Sequence, residues 1–131
     1  MTVAYVDSSA VVKLIVTEAQ SSALATALNA FDDHLTSEVA VIEVTRAVRR
    51  TGQSAAAGRV DDVLSRIGLV AVDHDVVQVA RFVEPTALRT LDTIHLATAV
   101  SLGLPDLTFV AYDQRLLGAA EAAGLAVAAP R

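Results

Sequence analysis

Cysteine is absent from this 131-residue chain, which excludes a disulfide framework and any thiolate-bound metal. Lysine is nearly absent: Lys13 stands alone, and every other cation is an arginine. The glycines form no Walker-type phosphate loop, which argues against a nucleoside triphosphatase. No apolar run reaches the roughly 20 residues that cross a bilayer, because Lys13, Arg46, Arg81 and Asp92 interrupt the candidates. The opening segment, Met1 to Val6, lacks the basic flank and the length of a secretory signal. The expectation is a soluble, cytoplasmic protein with no membrane segment.

At 131 residues the chain is long enough for a proper core, and one domain covering residues 1–131 is expected. Hydrophobic residues make up 53%, mostly Ala, Val and Leu, against 4% aromatics. That richness fits either a buried oligomeric or partner surface or an Ala-rich helical core. The net charge of −5 argues against a non-specific nucleic-acid coat. It does not argue against an enzyme acting on nucleic acid, because an acidic metal site is itself a source of negative charge. Arg46, Arg49 and Arg50 form the one basic cluster, suited to phosphate through their planar forks or to a solvated helix end.

Against this background Asp7, Glu43, Asp92 and Asp113 are out of place, because each is set in apolar sequence. Asp7 follows Val3-Ala4-Tyr5-Val6, and Asp113 follows Phe109-Val110-Ala111-Tyr112. Glu43 lies within Val39-Ala40-Val41-Ile42-Glu43-Val44, and Asp92 lies between Leu91 and Ile94. A carboxylate taken out of water needs a partner, hydrogen bonds or a metal. Nearby cations are too few to pair all of them, so a shared divalent metal is the first hypothesis. Acids elsewhere, such as Asp32-Asp33 and Asp61-Asp62, sit in turns or polar helical faces where solvation suffices.

Turn residues and periodicity predict an alternation of strands and helices. Strands are expected over Val3–Val6, His34–Thr36, Leu69–Val72, Leu107–Tyr112 and Leu125–Ala128. Helices are expected over Ala10–Val16, capped by Ser8 or Ser9, and over Glu18–Ala30. A third runs from a Ser37 cap to Arg50, and a fourth covers Ser54–Arg66 with Gly68 ending it. Further helices cover Asp75–Val83, Thr90–Leu102 and Gln114–Ala123. The pattern is that of an α/β protein with a mostly parallel sheet. Sites in such sheets lie beyond the carboxyl ends of the strands, where Asp7 and Asp113 fall.

Glu43 and Asp92 are placed by helical spacing. The positions three and four away are Val39, Ala40, Arg46 and Ala47 for Glu43, and Leu88, Arg89, His95 and Leu96 for Asp92. Both faces are largely apolar, so both acids are expected to point inward or into a cleft. Each acid also has a simpler reading. Asp7 and Asp113 can cap helices, Asp113 can pair with Arg115, Glu43 can pair with Arg46, and Asp92 can pair with Arg89 or His95. An all-oxygen donor set suits Mg²⁺ or Mn²⁺ rather than zinc.

These segments carry a family resemblance. Tyr5-Val6-Asp7-Ser8-Ser9-Ala10, Glu43 in its helix, Leu91-Asp92-Thr93-Ile94-His95-Leu96-Ala97-Thr98-Ala99 and Tyr112-Asp113-Gln114-Arg115-Leu116 resemble the acidic motifs of PIN-domain ribonucleases. More narrowly, they are similar to the VapC toxins of toxin–antitoxin modules. The resemblance runs from Val3 to about Leu125. It implies a PIN-like α/β/α sandwich with a short, mostly parallel central sheet. It also implies a Mg²⁺- or Mn²⁺-dependent endoribonuclease, a homodimer, and a cognate VapB-type antitoxin whose tail wraps the toxin and blocks its site. Ala111 departs from the pattern, since many members carry a hydroxyl residue there.

On this resemblance Asp7, Asp92 and Asp113 are expected to hold the metal, with Glu43 binding directly or through water. Ser9 and Thr93 are expected to orient the neighbouring carboxylates, and Arg46 and Arg115 to contact RNA phosphate. His95 reads mainly as a packing residue. A receiver domain would need a lysine at a late strand end, which Lys13 does not supply. A haloacid-dehalogenase-type phosphatase would need an aspartate where Ser9 stands. The remaining alternatives are a PIN nuclease that is not a toxin and a catalytically silent PIN interaction module.

Overall fold

The computed structural model describes residues 1–131. Its centre is a short strand, β1 (Val3–Val6), with all its side chains buried. Strand alternation sends Val3 and Tyr5 to one face of the sheet and Ala4 and Val6 to the other. Four more strands flank it: β2 (Asp33–Ser37), β3 (Gly68–Val70), β4 (Leu107–Val110) and β5 (Ala126–Ala128). The order across the sheet is β3-β2-β1-β4-β5, and every pairing is parallel. Parallel strands require crossovers, which the helices supply, and burial on both faces explains the nearly unbroken apolar runs.

On the face of Ala4 and Val6 pack α1 (Ser8–Lys13), α2 (Ser21–Leu28), α3 (Val39–Arg50), α4 (Ser54–Ala57) and α5 (Val60–Leu64). Their core is aliphatic, built from residues such as Val11, Leu24, Val44 and Val48. On the face of Tyr5 lie α7 (Thr90–Leu102) and α8 (Gln114–Ala122), with α6 (His74–Ala80) packed on α7. Here Tyr5 and Phe109 stack nearly parallel, their ring centroids 5.3 Å apart, among Leu96, Leu116 and Leu117. The result is a three-layer α/β/α sandwich, the expected class.

The β1–β4 pairing matters most for function. Its register runs from Val3 opposite Leu107 to Val6 opposite Val110. The ladder continues one step further through Asp7 N–H donating to Val110 C=O at 3.1 Å. Asp7 and the segment leading to Asp113 therefore leave the sheet side by side at its carboxyl edge.

Several expected boundaries are corrected. The first helix starts at Ser8 because Asp7, rather than either serine, is its cap: Ala10 N–H donates to Asp7 Oδ1 at 3.0 Å. The second helix spans Ser21–Leu28, shorter at both ends than expected. Ser37 is the last residue of β2, with Glu38 at the cap position of α3, although Ser37 Oγ still accepts from Val39 N–H. The helix expected over Ser54–Arg66 is two short ones, interrupted at Gly58 and Arg59, since glycine propagates a helix poorly. Gly68 opens β3 instead of ending that helix, and β3 stops at Val70. The expected helix over Asp75–Val83 is His74–Ala80, capped by Asp73. Thr90–Leu102 is helical as expected, ended by Gly103 at φ 60°, a conformation that favours a residue without Cβ.

Phe109 is fully buried and half of the one stacked aromatic pair in the core. Phe109→Ala is expected to lower unfolding free energy by about 3–5 kcal/mol in urea titrations, while Phe109→Leu costs clearly less. Equal losses would show that the site collapses around the truncated side chain.

Candidate active site

The carboxyl edge of the sheet opens into a cleft of about 780 Å³. Asp7, Glu43, Asp92 and Asp113 all line it. They arrive on four separate segments: the end of β1, the middle of α3, the first turn of α7 and the cap of α8. Only Asp7 is deeply buried, at 4% exposure; Glu43 and Asp92 are partly buried and Asp113 is exposed.

Each acid is engaged by a local partner. Asp7 receives Ala10 N–H and both its oxygens receive Ser9 Oγ, at 3.0 and 3.1 Å. Asp113 Oδ1 accepts from Leu116 N–H at 3.0 Å and caps α8. Asp92 lies 3.6 Å from Arg89 Nε, a loose pair one helical turn apart. Glu43 pairs with neither Arg46 nor any other arginine. Its Oε1 accepts from Ser8 Oγ and lies 2.7 Å from His95 Nε2. The side-chain positions do not bring three of these acids close enough together to grip one ion. The cleft thus gathers the four carboxylates without closing any three of them on a point.

Their electrostatics differ accordingly. Burial pushes Asp7 up to about 6, against the hydrogen bond from Ala10 N–H, the attraction of His95 and the Ser9 hydroxyl; Asp92 adds repulsion. Burial also raises Asp92, where repulsion from Asp113 and Glu43 works against the attraction of Arg89 and His95. Burial works to raise Glu43 too, but the hydrogen bonds from His95 and Ser8 outweigh it and hold this acid below the usual carboxylate range. The repulsions among Asp7, Glu43, Asp92 and Asp113 describe a pocket of excess negative potential built from oxygen donors. In chemistry that set fits a hard divalent cation.

Positive charge also borders the cleft. Arg46 and Arg50 from α3 and Arg89 from the turn before α7 line it with the acids. Arg115 does not reach the main cleft. It borders a neighbouring groove that shares Asp92, Asp113 and Arg89 with it. Thr93 does not line the cleft, and its hydroxyl bonds no carboxylate. One residue beyond Asp92 is about 100° around the helix, so the two side chains diverge. Ser9, by contrast, does hold Asp7.

Sequence reasoning missed Ser8 as a partner of Glu43 and read His95 as packing. His95 is 1% exposed and bonded at both ring nitrogens, by Tyr5 OH at 2.8 Å and within the Ser8–Glu43 pair. A histidine inside Ile94-His95-Leu96-Ala97 was the available signal, because a buried imidazole needs partners. No helix is long and apolar enough to cross a membrane.

Comparison with known proteins places this geometry. The profile of the PIN domain matches residues 4–122. Ribonuclease VapC46 of Mycobacterium tuberculosis H37Rv is 44% identical over 131 residues, covering 99% of both chains. Ribonuclease VapC35 of the same species is 41% identical, covering 96% of each. Among solved structures, a toxin–antitoxin complex from Klebsiella pneumoniae superposes with a TM-score of 0.74 at 18% identity, covering 98% of each chain. Mycobacterium tuberculosis VapC20, described as a sarcin–ricin-loop-cleaving toxin, superposes with a TM-score of 0.69 at 21% identity, covering 93% of this chain and 95% of its own.

The buried Asp7 makes a pH-dependent prediction for metal-stripped protein. A folded value near 6, above the unfolded 3.8, makes no cost below pH 4 and a growing one as pH rises through 6. The magnitude at neutral pH is roughly 3 kcal/mol. Asp7→Asn keeps the cap and removes this dependence, so its stability relative to the parent is expected to rise between pH 4 and 6 and then level off. Parallel stability–pH curves in EDTA would show that Asp7 is not charged at this cost.

Proposed function

This chain belongs to the PIN-domain family, among the VapC ribonucleases, and from that premise we propose that it is an endoribonuclease, the toxin of a type II toxin–antitoxin pair. The observation that carries the reading is the single cleft lined by Asp7, Glu43, Asp92 and Asp113 and bordered by arginines. Relatives named as ribonucleases, similar over nearly their whole length, support it. A VapB-type antitoxin is the expected partner, in line with the toxin–antitoxin complex of the same fold, and the cytoplasm the expected compartment.

Asp7, Asp92 and Asp113 line one cleft without three of them being grouped on a point, so their side chains would draw together to hold the divalent ion, Mg²⁺ or Mn²⁺, with Glu43 beside them directly or through water. When bound, such a cation supplies Lewis acidity, acidifying water and offsetting charge on the phosphate. The protein's own groups do the rest. Ser9 and Ala10 N–H fix Asp7 against rotation. Arg46 and Arg50 offer planar forks to the phosphates of the RNA strand, and Arg89 can leave its loose contact with Asp92 to do the same. Glu43, held anionic, orients the attacking water and draws on its proton. Attack at phosphorus breaks the bond to the 3′ oxygen, which takes up a proton. The products carry 5′-phosphate and 3′-hydroxyl ends.

The test is incubation of purified protein with total RNA in Mn²⁺ or Mg²⁺, with and without EDTA, followed by sequencing of the new 5′ ends. Cleavage that needs the metal and leaves 5′-phosphates is expected. Cleavage insensitive to EDTA, or none under any metal, overturns the reading. Asp92→Asn is expected to lower kcat at least 100-fold, since removing an electrostatic group at the reacting centre costs at least that order. Arg46→Ala is expected mainly to raise KM and to flatten its dependence on salt.

A further inference from the structure

Beneath the cleft runs a chain of hydrogen bonds that local sequence does not announce. Tyr5 OH lies 2.8 Å from His95 Nδ1, and His95 Nε2 lies 2.7 Å from Glu43 Oε1. Ser8 Oγ donates to the same Glu43 oxygen at 2.7 Å and stands 2.9 Å from Nε2. Tyr5 and His95 are essentially closed to solvent, at 0% and 1% exposure. Three sequence-distant layers are linked: β1 supplies Tyr5, α7 on one face of the sheet supplies His95, and α3 on the other supplies Glu43.

The directions of these bonds follow from the donors available. A carboxylate oxygen can only accept, so the His95 proton that meets Glu43 is on Nε2. A neutral ring protonated there leaves Nδ1 as an acceptor, and Tyr5 OH is the donor facing it. The phenol cannot serve as an alternative anion, because burial pushes its ionisation far above the usual range, against weaker opposing hydrogen bonds. Glu43 Oε1 thus receives two donors, while no protein donor reaches Oε2.

We propose that Tyr5 and His95 are positioning residues: Tyr5 fixes the Nε2–H tautomer of His95, His95 and Ser8 together occupy Glu43 Oε1, and Glu43 therefore serves the cleft through Oε2 alone. Glu43 acts as a one-oxygen ligand or water acceptor, and its direction is set from inside the core. This rests on the ribonuclease reading for its catalytic consequence, but the bond pattern itself does not.

The test uses full-length protein and Mn²⁺ alone as probe, alongside RNA cleavage. In ¹⁵N spectra of metal-free protein, His95 is expected to carry its proton on Nε2, facing Glu43; a ring protonated on Nδ1 alone overturns the assignment. Tyr5→Phe removes one hydroxyl and retains the ring stacked on Phe109. It is expected to weaken Mn²⁺ binding in calorimetry about tenfold and to lower kcat similarly with KM unchanged. His95→Gln, which can still donate to Glu43, is expected to retain more of both than His95→Leu. A packing role predicts the reverse order, since leucine fills an apolar site better. Parent-like Mn²⁺ affinity and kcat in Tyr5→Phe, or His95→Leu matching His95→Gln, overturns the proposal. Should the parent cleave no RNA, the ribonuclease reading fails, while the spectra and Mn²⁺ affinities still decide the positioning role. Should Tyr5→Phe fail to fold, the parent spectra and the two His95 variants decide it.

Discussion

The parallel pairing of β1 with β4 is the constraint from which the rest follows. Antiparallel neighbours would send their carboxyl ends to opposite edges. Parallel ones send them to the same edge, and the continuation of the ladder through Asp7 N–H to Val110 keeps the two exits together. The helices that follow those strands, α1 and α8, then begin at that edge with their N-termini. Aspartates there meet free backbone N–H groups, so Asp7 and Asp113 are stabilised as caps at the place where the cleft needs charge.

The other two acids depend on the sandwich itself. Glu43 and Asp92 come from helices on opposite faces of the sheet that both reach the cleft beyond the end of β1. The Glu43–His95 contact spans that junction. It is shielded from water on the histidine side, so the hydrogen bond between Nε2 and Glu43 competes little with solvent. The cleft is therefore electrostatically uneven. Glu43 is held anionic by protein donors, whereas burial makes ionisation of Asp7 and Asp92 costlier than that of a free carboxylate.

Much of this was legible in the chain. The α/β class, the all-helical stretch Thr90–Leu102 and the two central strands stand out because apolar runs are bounded by residues such as Pro105 and Gly103. The acids stand out because charge inside an apolar run is costly. The boundaries that failed did so for local reasons: Asp7 won the cap over its neighbouring serines, and Gly58 with Arg59 split a helix. Thr93 stands next to Asp92 in sequence but about 100° from it around the helix, a separation that adjacency in the chain conceals. The Tyr5–His95 bond joins residues 90 positions apart, and no periodicity or spacing rule carries information about such a pair. It arises only once β1 and α7 are packed.

The double duty of Asp7 and Asp113 has an evolutionary reading. Asparagine caps a helix about as well as aspartate. A change to asparagine at either position would remove negative charge from the cleft and leave the adjoining helix start almost undisturbed. Loss of chemistry is thereby uncoupled from loss of shape. On the proposed reading of the cleft, a lineage could disarm such a protein in one step and still keep a folded body with its surfaces intact, available for other uses.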